Sequence, residues 1–264
     1  MLTSNLSLMN FTEKPIKIGI ISGKGGTGKS TVAFSLTISL AKKGFKVGIV
    51  DLDLTGPNLT DLFGRKELKV DDDEDVFIPA VNNNVEWVSL GQIASEGDPV
   101  LWKGEDLASA AKQLFKRTKW GQLDYIVFDF PPGTGMETQA LLPLMDYVLI
   151  VSIPSVLAKS NVERIIEACR EFQVKILGVI MNMKDFQCPT CGSKYQIFPD
   201  DHSFENLGIP TIAEIPLNPE IAKNKLINDF PVEKVLEAMK NPILLKKKKK
   251  TLKKLLLKFL LGRW

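Results

Sequence analysis

The sequence predicts an α/β fold, a doubly wound, mostly parallel sheet with helices on both faces. Three observations carry this. Six short runs rich in Ile and Val, "IKIGIIS" (16–22), "KVGIVD" (46–51), "VEWVSL" (85–90), "YIVFDF" (125–130), "YVLIVS" (147–152) and "VKILGVIM" (174–181), are apolar almost throughout. Strands buried on both faces of a parallel sheet read this way, because neither face meets water. Helical patterns lie between them, at about 29–43, 105–118, 137–144 and 159–172. Regular strand–helix alternation implies right-handed crossovers and an open sheet. The third observation is that the chemically informative segments fall just after the strands, where ligand loops of such sheets lie.

The first such segment is "SGKGGTGKST" (22–31), which contains the pattern G-x-x-x-x-G-K-[ST]. Gly23, Gly25, Gly26 and Gly28 let the backbone curl so that successive N–H groups, with that of Thr27 among them, point at a phosphate. Lys29 is placed to reach the β- and γ-phosphates of ATP, the Ser30 hydroxyl to bind Mg²⁺, and Thr31 to donate to the α-phosphate. The second lysine, Lys24, is surplus to that scheme.

Two more strand ends supply carboxylates. "VDLDLTGPN" (50–58) carries Asp51 and Asp53, and "FDFPPGTG" (128–135) carries Asp129 after an apolar run. Asp51 and Asp129 are the candidate Mg²⁺ groups, and Asp53 the group that orients an attacking water. A single Asp at a strand end commonly caps the following helix; three beside a phosphate loop point to a site.

Composition sets the frame. The chain has 264 residues and 44% apolar content, enough for one large α/β domain. No run of about 20 apolar residues is present, which excludes a spanning helix. "MLTSNLSLMNFTEKP" lacks a basic n-region, so 1–14 reads as a disordered arm rather than a signal peptide. Three cysteines, Cys169, Cys188 and Cys191, do not make a disulfide framework and point to a reducing, cytoplasmic setting. Cys169 lies in a helical pattern and reads as a small core residue. "DDDED" (71–75) reads as a solvated loop.

Charge divides the chain. Residues 244–264, "LLKKKKKTLKKLLLKFLLGRW", hold nine basic residues and no acidic one, leaving 25 basic and 31 acidic residues in 1–243, net −6. The expected organisation is therefore an arm (1–14), an ATPase domain (15–243) and a basic tail (244–264). On a helical wheel Leu252, Leu255, Leu256, Phe259 and Leu260 share one broad face. Lys250, Lys254 and Lys258 run along the other side, and Trp264 ends the chain. That is the pattern of a helix lying on a membrane surface; packing on the protein and nucleic-acid contact are the alternatives, and no specific nucleic acid is expected.

With these motifs in view, the loop G-K-G-G-x-G-K-[ST] resembles the deviant Walker A motif of the MinD/ParA/nitrogenase-iron-protein class of P-loop NTPases. The resemblance implies that Lys24 crosses a homodimer interface to the nucleotide of the other subunit, and that Asn182 in "MNMKDF" recognises adenine. "CPTCG" (188–192), "LDYIVFDFPPGTG", "VSLG", "PVLWKG" and "IPTIAEIPLNPEIA" resemble the Mrp/ApbC/Nbp-type iron–sulfur carrier ATPases over about 16–240. Two segments depart from that pattern: "SIPSVLAKS" replaces a threonine- and glutamine-containing turn, and a Gly-rich stretch after "CPTCG" is missing. The tail is not part of it.

Ligand count adds a separate argument. Cys188 and Cys191 are two ligands, and a [4Fe–4S] cluster or structural Zn²⁺ takes four. His202, the only histidine, is eleven residues beyond Cys191 and reads as a surface residue. A two-fold dimer doubles two ligands to four. The expected function is a homodimeric, slowly hydrolysing ATPase that carries a [4Fe–4S] cluster to apo iron–sulfur proteins. A MinD/ParA-like membrane-positioning ATPase with Zn²⁺ at the cysteines is the alternative, and a redox dithiol remains open for the cysteines themselves.

Overall fold

The computed structural model describes residues 14–53, 58–64, 66–93, 104–155, 157–188, 190–197 and 204–247. The chain order is β1 (Ile16–Ile21), α1 (Lys29–Lys42), β2 (Val47–Asp51), α2 (Asn58–Phe63), β3 (Lys69–Asp71), β4 (Val76–Ile78), β5 (Ala80–Asn82) and β6 (Val85–Ser89). Then come α3 (Gly104–Arg117), β7 (Tyr125–Asp129), α4 (Met136–Leu141), β8 (Tyr147–Ser152), α5 (Ala158–Phe172) and β9 (Lys175–Met181). β10 (Asp185–Gln187), β11 (Lys194–Gln196), β12 (Thr211–Glu214), α6 (Pro219–Asn224) and α7 (Val232–Lys240) complete the described chain.

The main sheet has eight strands in the order β12-β9-β8-β1-β7-β2-β6-β5. Every neighbouring pair is parallel except β5 with β6. The six apolar runs are its six inner strands, and the expected fold class holds. Alternation along each strand feeds two separate cores. Ile18, Ile20, Val47, Ile49, Leu149 and Val151 pack with α1 and α7 on one face. Ile21, Val50, Val148 and Ile150 pack with α3, α4 and α5 on the other. Burial of both faces explains why the runs show no polar alternation.

The helix ends follow local chemistry. α1 stops before Gly44, whose φ of 91° takes the left-handed conformation that closes a helix. α4 is shorter than the 137–144 pattern: Pro143 tightens Leu142–Leu144 into a 3₁₀ turn. "DDDED" is the turn of the β3–β4 hairpin, where Asp75 pairs with Arg117 and Glu74 with Lys119. β5, β12, α2, α6, α7 and the β10–β11 hairpin were not among the sequence expectations. No described helix is long and apolar enough to cross a membrane.

Because helices run antiparallel to the strands, the molecule has two distinct ends. The carboxyl end of the sheet gathers the loops after β1, β2, β7 and β9. The amino end gathers the last turns of the helices.

Candidate functional site

The loop between β1 and α1 wraps as its glycines predict. Gly26 and Gly28 have φ of 75° and 79°, which side chains with a Cβ rarely adopt. Gly28 is needed for a second reason: a Cβ there would lie 2.2 Å from Nδ2 of Asn182. That amide donates to Thr27 O at 2.8 Å, and the Asn182 backbone N–H donates to Ser152 O at 2.8 Å. Asn182, expected at adenine, is therefore seated on the phosphate loop and straps it to the ends of β8 and β9. Gly23 is tight as well, since a Cβ would meet Asn161 of α5 at 2.6 Å. On the other flank Gly133 N–H donates to Ser22 O at 2.9 Å, joining the "PPGTG" turn to the loop.

Lys29 is 5% exposed, and its Nζ lies 2.5 Å from Oδ1 of the fully buried Asp129. Burial pushes the Asp129 carboxyl up, and the Lys29 ammonium and Ser30 hydroxyl oppose that shift. Oδ2 of Asp129 and Oγ1 of Thr27 are buried without a hydrogen-bond partner. A buried oxygen of this kind calls for a ligand. The donor set, a hydroxyl and a carboxylate, suits Mg²⁺, which keeps several waters and few protein ligands.

Asp51 plays a different part from the expected metal ligand. Its Oδ1 accepts the Asp53 N–H at 3.0 Å, and its Oδ2 accepts the Leu59 N–H at 3.3 Å and the Ser89 hydroxyl at 3.1 Å. The carboxylate ties the turn after β2 to α2 and β6, which is the capping role. Burial, and then the charge of Asp129, push its pKa up to about 7 against the Asp53 and Leu59 N–H groups and Lys29. Asp53 is buried at the same strand end, and its charge acts on Asp129. Lys24 is exposed on the outer surface of the loop, and its ammonium makes no ion pair among the described residues.

The cysteine pair sits at the tip of the β10–β11 hairpin, a few residues beyond Asn182. Cys188 N–H donates to Ser193 O at 2.9 Å, and Gly192 N–H donates to Cys188 O at 2.8 Å. This tight turn brings both thiols to one side; both are free, Cys188 half-buried and Cys191 exposed. The Ser193 hydroxyl lies 3.3 Å from Cys191 Sγ and, with the Ser193 backbone and Cys188, lowers the Cys191 pKa. Cys169 is fully buried, as expected, and burial pushes its thiol up to about 12. His202 and residues 248–264 lie outside the described residues.

The sequence matches the family model of the ParA-type, NUBPL iron-transfer P-loop NTPases over residues 14–252. The chain belongs to this family. This NUBPL-type NTPase is 37% identical over 215 residues to the iron-sulfur cluster carrier protein of Saccharolobus solfataricus, covering 78% of this chain and 73% of that one. It is 35% identical over 214 residues to the cytosolic Fe-S cluster assembly factor CFD1 of Kluyveromyces lactis, covering 76% of each. Among solved structures, the nucleotide-binding protein of Archaeoglobus fulgidus in complex with ADP superposes with a TM-score of 0.68 at 29% identity, covering 88% of this chain and 94% of that one. The cell division ATPase MinD of Pyrococcus furiosus shares the fold, with a TM-score of 0.63 at 23% identity over 86% and 99% of the two chains. The NUBPL-type NTPase thus has a P-loop nucleotide fold whose loop, carboxylates and cysteine hairpin share the carboxyl end of one sheet.

Proposed function

We propose that this protein is a cytoplasmic, ATP-dependent carrier that holds a [4Fe–4S] cluster between two copies of itself and hands it to apo iron–sulfur proteins. The observation that carries the reading is the hairpin at Cys188 and Cys191. It presents two thiols on one side, and among the described residues no group of three or more His, Cys, Asp or Glu side chains gathers to hold a metal. A cluster takes four ligands, and a second copy related by a two-fold axis supplies the missing two. The names of the Saccharolobus and Kluyveromyces relatives support the cargo. Exposed apolar side chains flank the same end of the sheet: Met136, Leu157, Tyr195 and Ile197 are 57%, 63%, 58% and 49% exposed. They suit burial against a second copy.

In this mechanism nucleotide phosphates take Lys29 from Asp129. A bound Mg²⁺ would supply positive charge to offset that of the phosphates. Ser30 and, through a water, Asp129 would hold it, the loop N–H groups would hold the phosphates, and Asp53 would orient the attacking water. Lys24 reaches the phosphates of the second copy, so nucleotide state is coupled to the shared cysteine site. Hydrolysis is slow, because the loop and its two partner strand ends contain no arginine to stabilise transferred charge.

The test is anaerobic reconstitution with iron and sulfide. The expected result is about four irons and four sulfides per dimer, lost in the double variant Cys188→Ala, Cys191→Ala. One zinc per dimer without sulfide, or unchanged iron in the double variant, would overturn the cluster assignment.

A further inference from the structure

We propose that Ser22 is a positioning residue for Lys24: its buried hydroxyl fixes the backbone from which the surplus lysine leaves the phosphate loop. The proposal rests on the reading of Lys24 as a cation for the nucleotide of a second copy, and it adds what aims that cation.

The two lysines of the loop are held differently. Lys29 is fixed at its ammonium, 2.5 Å from Asp129 Oδ1. Lys24 is exposed, and its ammonium makes no ion pair among the described residues. A lysine side chain is a point charge on a flexible stem. Where that charge can reach is therefore set by the backbone that carries it.

This backbone is braced. Ser22 directly follows β1 and is fully buried, and its hydroxyl donates to the Lys24 carbonyl at 3.0 Å. The bond closes a tight turn across Gly23 and draws the Lys24 carbonyl in towards the strand end. Gly23 itself lies against α5, where a Cβ would stand 2.6 Å from Asn161 Cβ and 3.0 Å from Asn161 O. On the other flank Ser22 O accepts the Gly133 N–H at 2.9 Å. The hydrogen bond from the Ser22 hydroxyl is what ties Lys24 to this framework.

The phosphate-binding half of the loop has separate supports. Gly26 and Gly28 set its path through their positive φ, and Asn182 straps it at Thr27 O. A buried hydroxyl needs a partner, whereas alanine would fill the place of Ser22 without one. Loss of the hydroxyl should therefore loosen Lys24 and spare the grip on the nucleotide. An interaction used only in the transition state appears in kcat and leaves KM unchanged.

The experiment measures ATP affinity by calorimetry, and kcat and KM for ATP hydrolysis, in Ser22→Ala, Lys24→Ala and the double variant. Ser22→Ala should bind ATP as the parent does and lose about fivefold in kcat at unchanged KM, the scale of one hydrogen bond. The double variant should be no slower than Lys24→Ala alone, because Ser22 acts through Lys24. Weakened ATP affinity in Ser22→Ala, or losses that multiply in the double variant, would overturn the proposal, since the hydroxyl would then support the phosphate loop as a whole. Parent turnover in Ser22→Ala beside a slowed Lys24→Ala would overturn it and leave the Lys24 reading standing. Parent turnover in Lys24→Ala would overturn both.

Discussion

Nδ2 of Asn182 donates to the Thr27 carbonyl at 2.8 Å across 155 residues of chain, and it occupies the space that a Cβ on Gly28 would need. The end of β9 is thereby locked to the phosphate loop, and β9 leads directly into the cysteine hairpin. One side chain connects the two functional segments of the molecule.

Asn182→Ala removes this strap and leaves Thr27 O to find another donor. A buried hydrogen bond of this kind contributes about 1 kcal/mol, so ATP affinity should fall about fivefold to tenfold while the cysteines still take up iron. Gly28→Ala should be far worse, because both φ and the Asn182 contact oppose it. Calorimetric titration with ATP separates the two. Equal losses in both variants would mean that Asn182 acts on the nucleotide itself rather than on the loop.

Lys24 and Lys29 divide the work of the loop. Lys29 is buried against Asp129, whereas Lys24 is exposed on the outer side. Lys24→Ala should bind ATP nearly as well as the parent and lose tenfold or more of its turnover, the scale of losing a cation at transferred phosphate charge. Lys29→Ala should lose binding itself. A mixture of Lys24→Ala with a binding-deficient Lys29→Ala protein reads out the trans contact: in a mixed dimer the intact Lys24 of the Lys29→Ala chain faces the nucleotide held by the Lys24→Ala chain. Turnover should partly return on mixing, and no recovery would count against the trans role.

Asp51 makes the metal-free protein sensitive to pH. Its folded pKa, about 7, lies above the ordinary 3.8. Between those values the native state holds a proton that the unfolded chain has lost, so stability falls as pH rises. The Tm of the metal-free protein should decrease from pH 5 to 8. Asp51→Asn, which keeps the shape without the charge, should flatten that slope, and a slope unaltered by the substitution would assign it to other groups.

How far the sequence could be read follows from what kind of interaction forms each part. The inner strands and α1, α3 and α5 were legible because two-sided burial writes itself as apolar runs and helical spacing. The glycine turn between β1 and α1 was legible because its glycine spacing is local, and Asp53 and Asp129 were legible as strand-end residues because apolar runs precede them. Asn161 behind Gly23, the Asn182 strap and Ser89 on Asp51 were not. They are single contacts between segments distant in sequence, and no local pattern encodes them. Asp51 was assigned to the metal because its position after a strand fits both a ligand and a cap; only its three hydrogen-bond donors distinguish the two. The cysteine hairpin was missed as a hairpin because its strands have three residues each and draw their order from the turn between them.

That turn also sets the reactivity of the two thiols. Ser193 bonds to Cys191 Sγ and, with its backbone, favours the thiolate, whereas Cys169 is held protonated by burial. The thiolate is the species that attacks an alkylating reagent and binds metal. In cluster-free protein at pH 7.5, iodoacetamide should therefore label Cys191 fastest and leave Cys169 untouched until the protein unfolds. Ser193→Ala removes the largest of the groups that lower the Cys191 pKa, so its labelling should slow severalfold while Cys169 stays inert. The same substitution should slow cluster assembly without changing the final iron content, because the ligands are intact and only the ease of deprotonation has changed. Mass-spectrometric mapping of labelled peptides against time measures the first effect and iron uptake the second. Labelling of Cys191 at the parent rate in Ser193→Ala would show that exposure alone, rather than the turn's hydrogen bonds, makes it reactive.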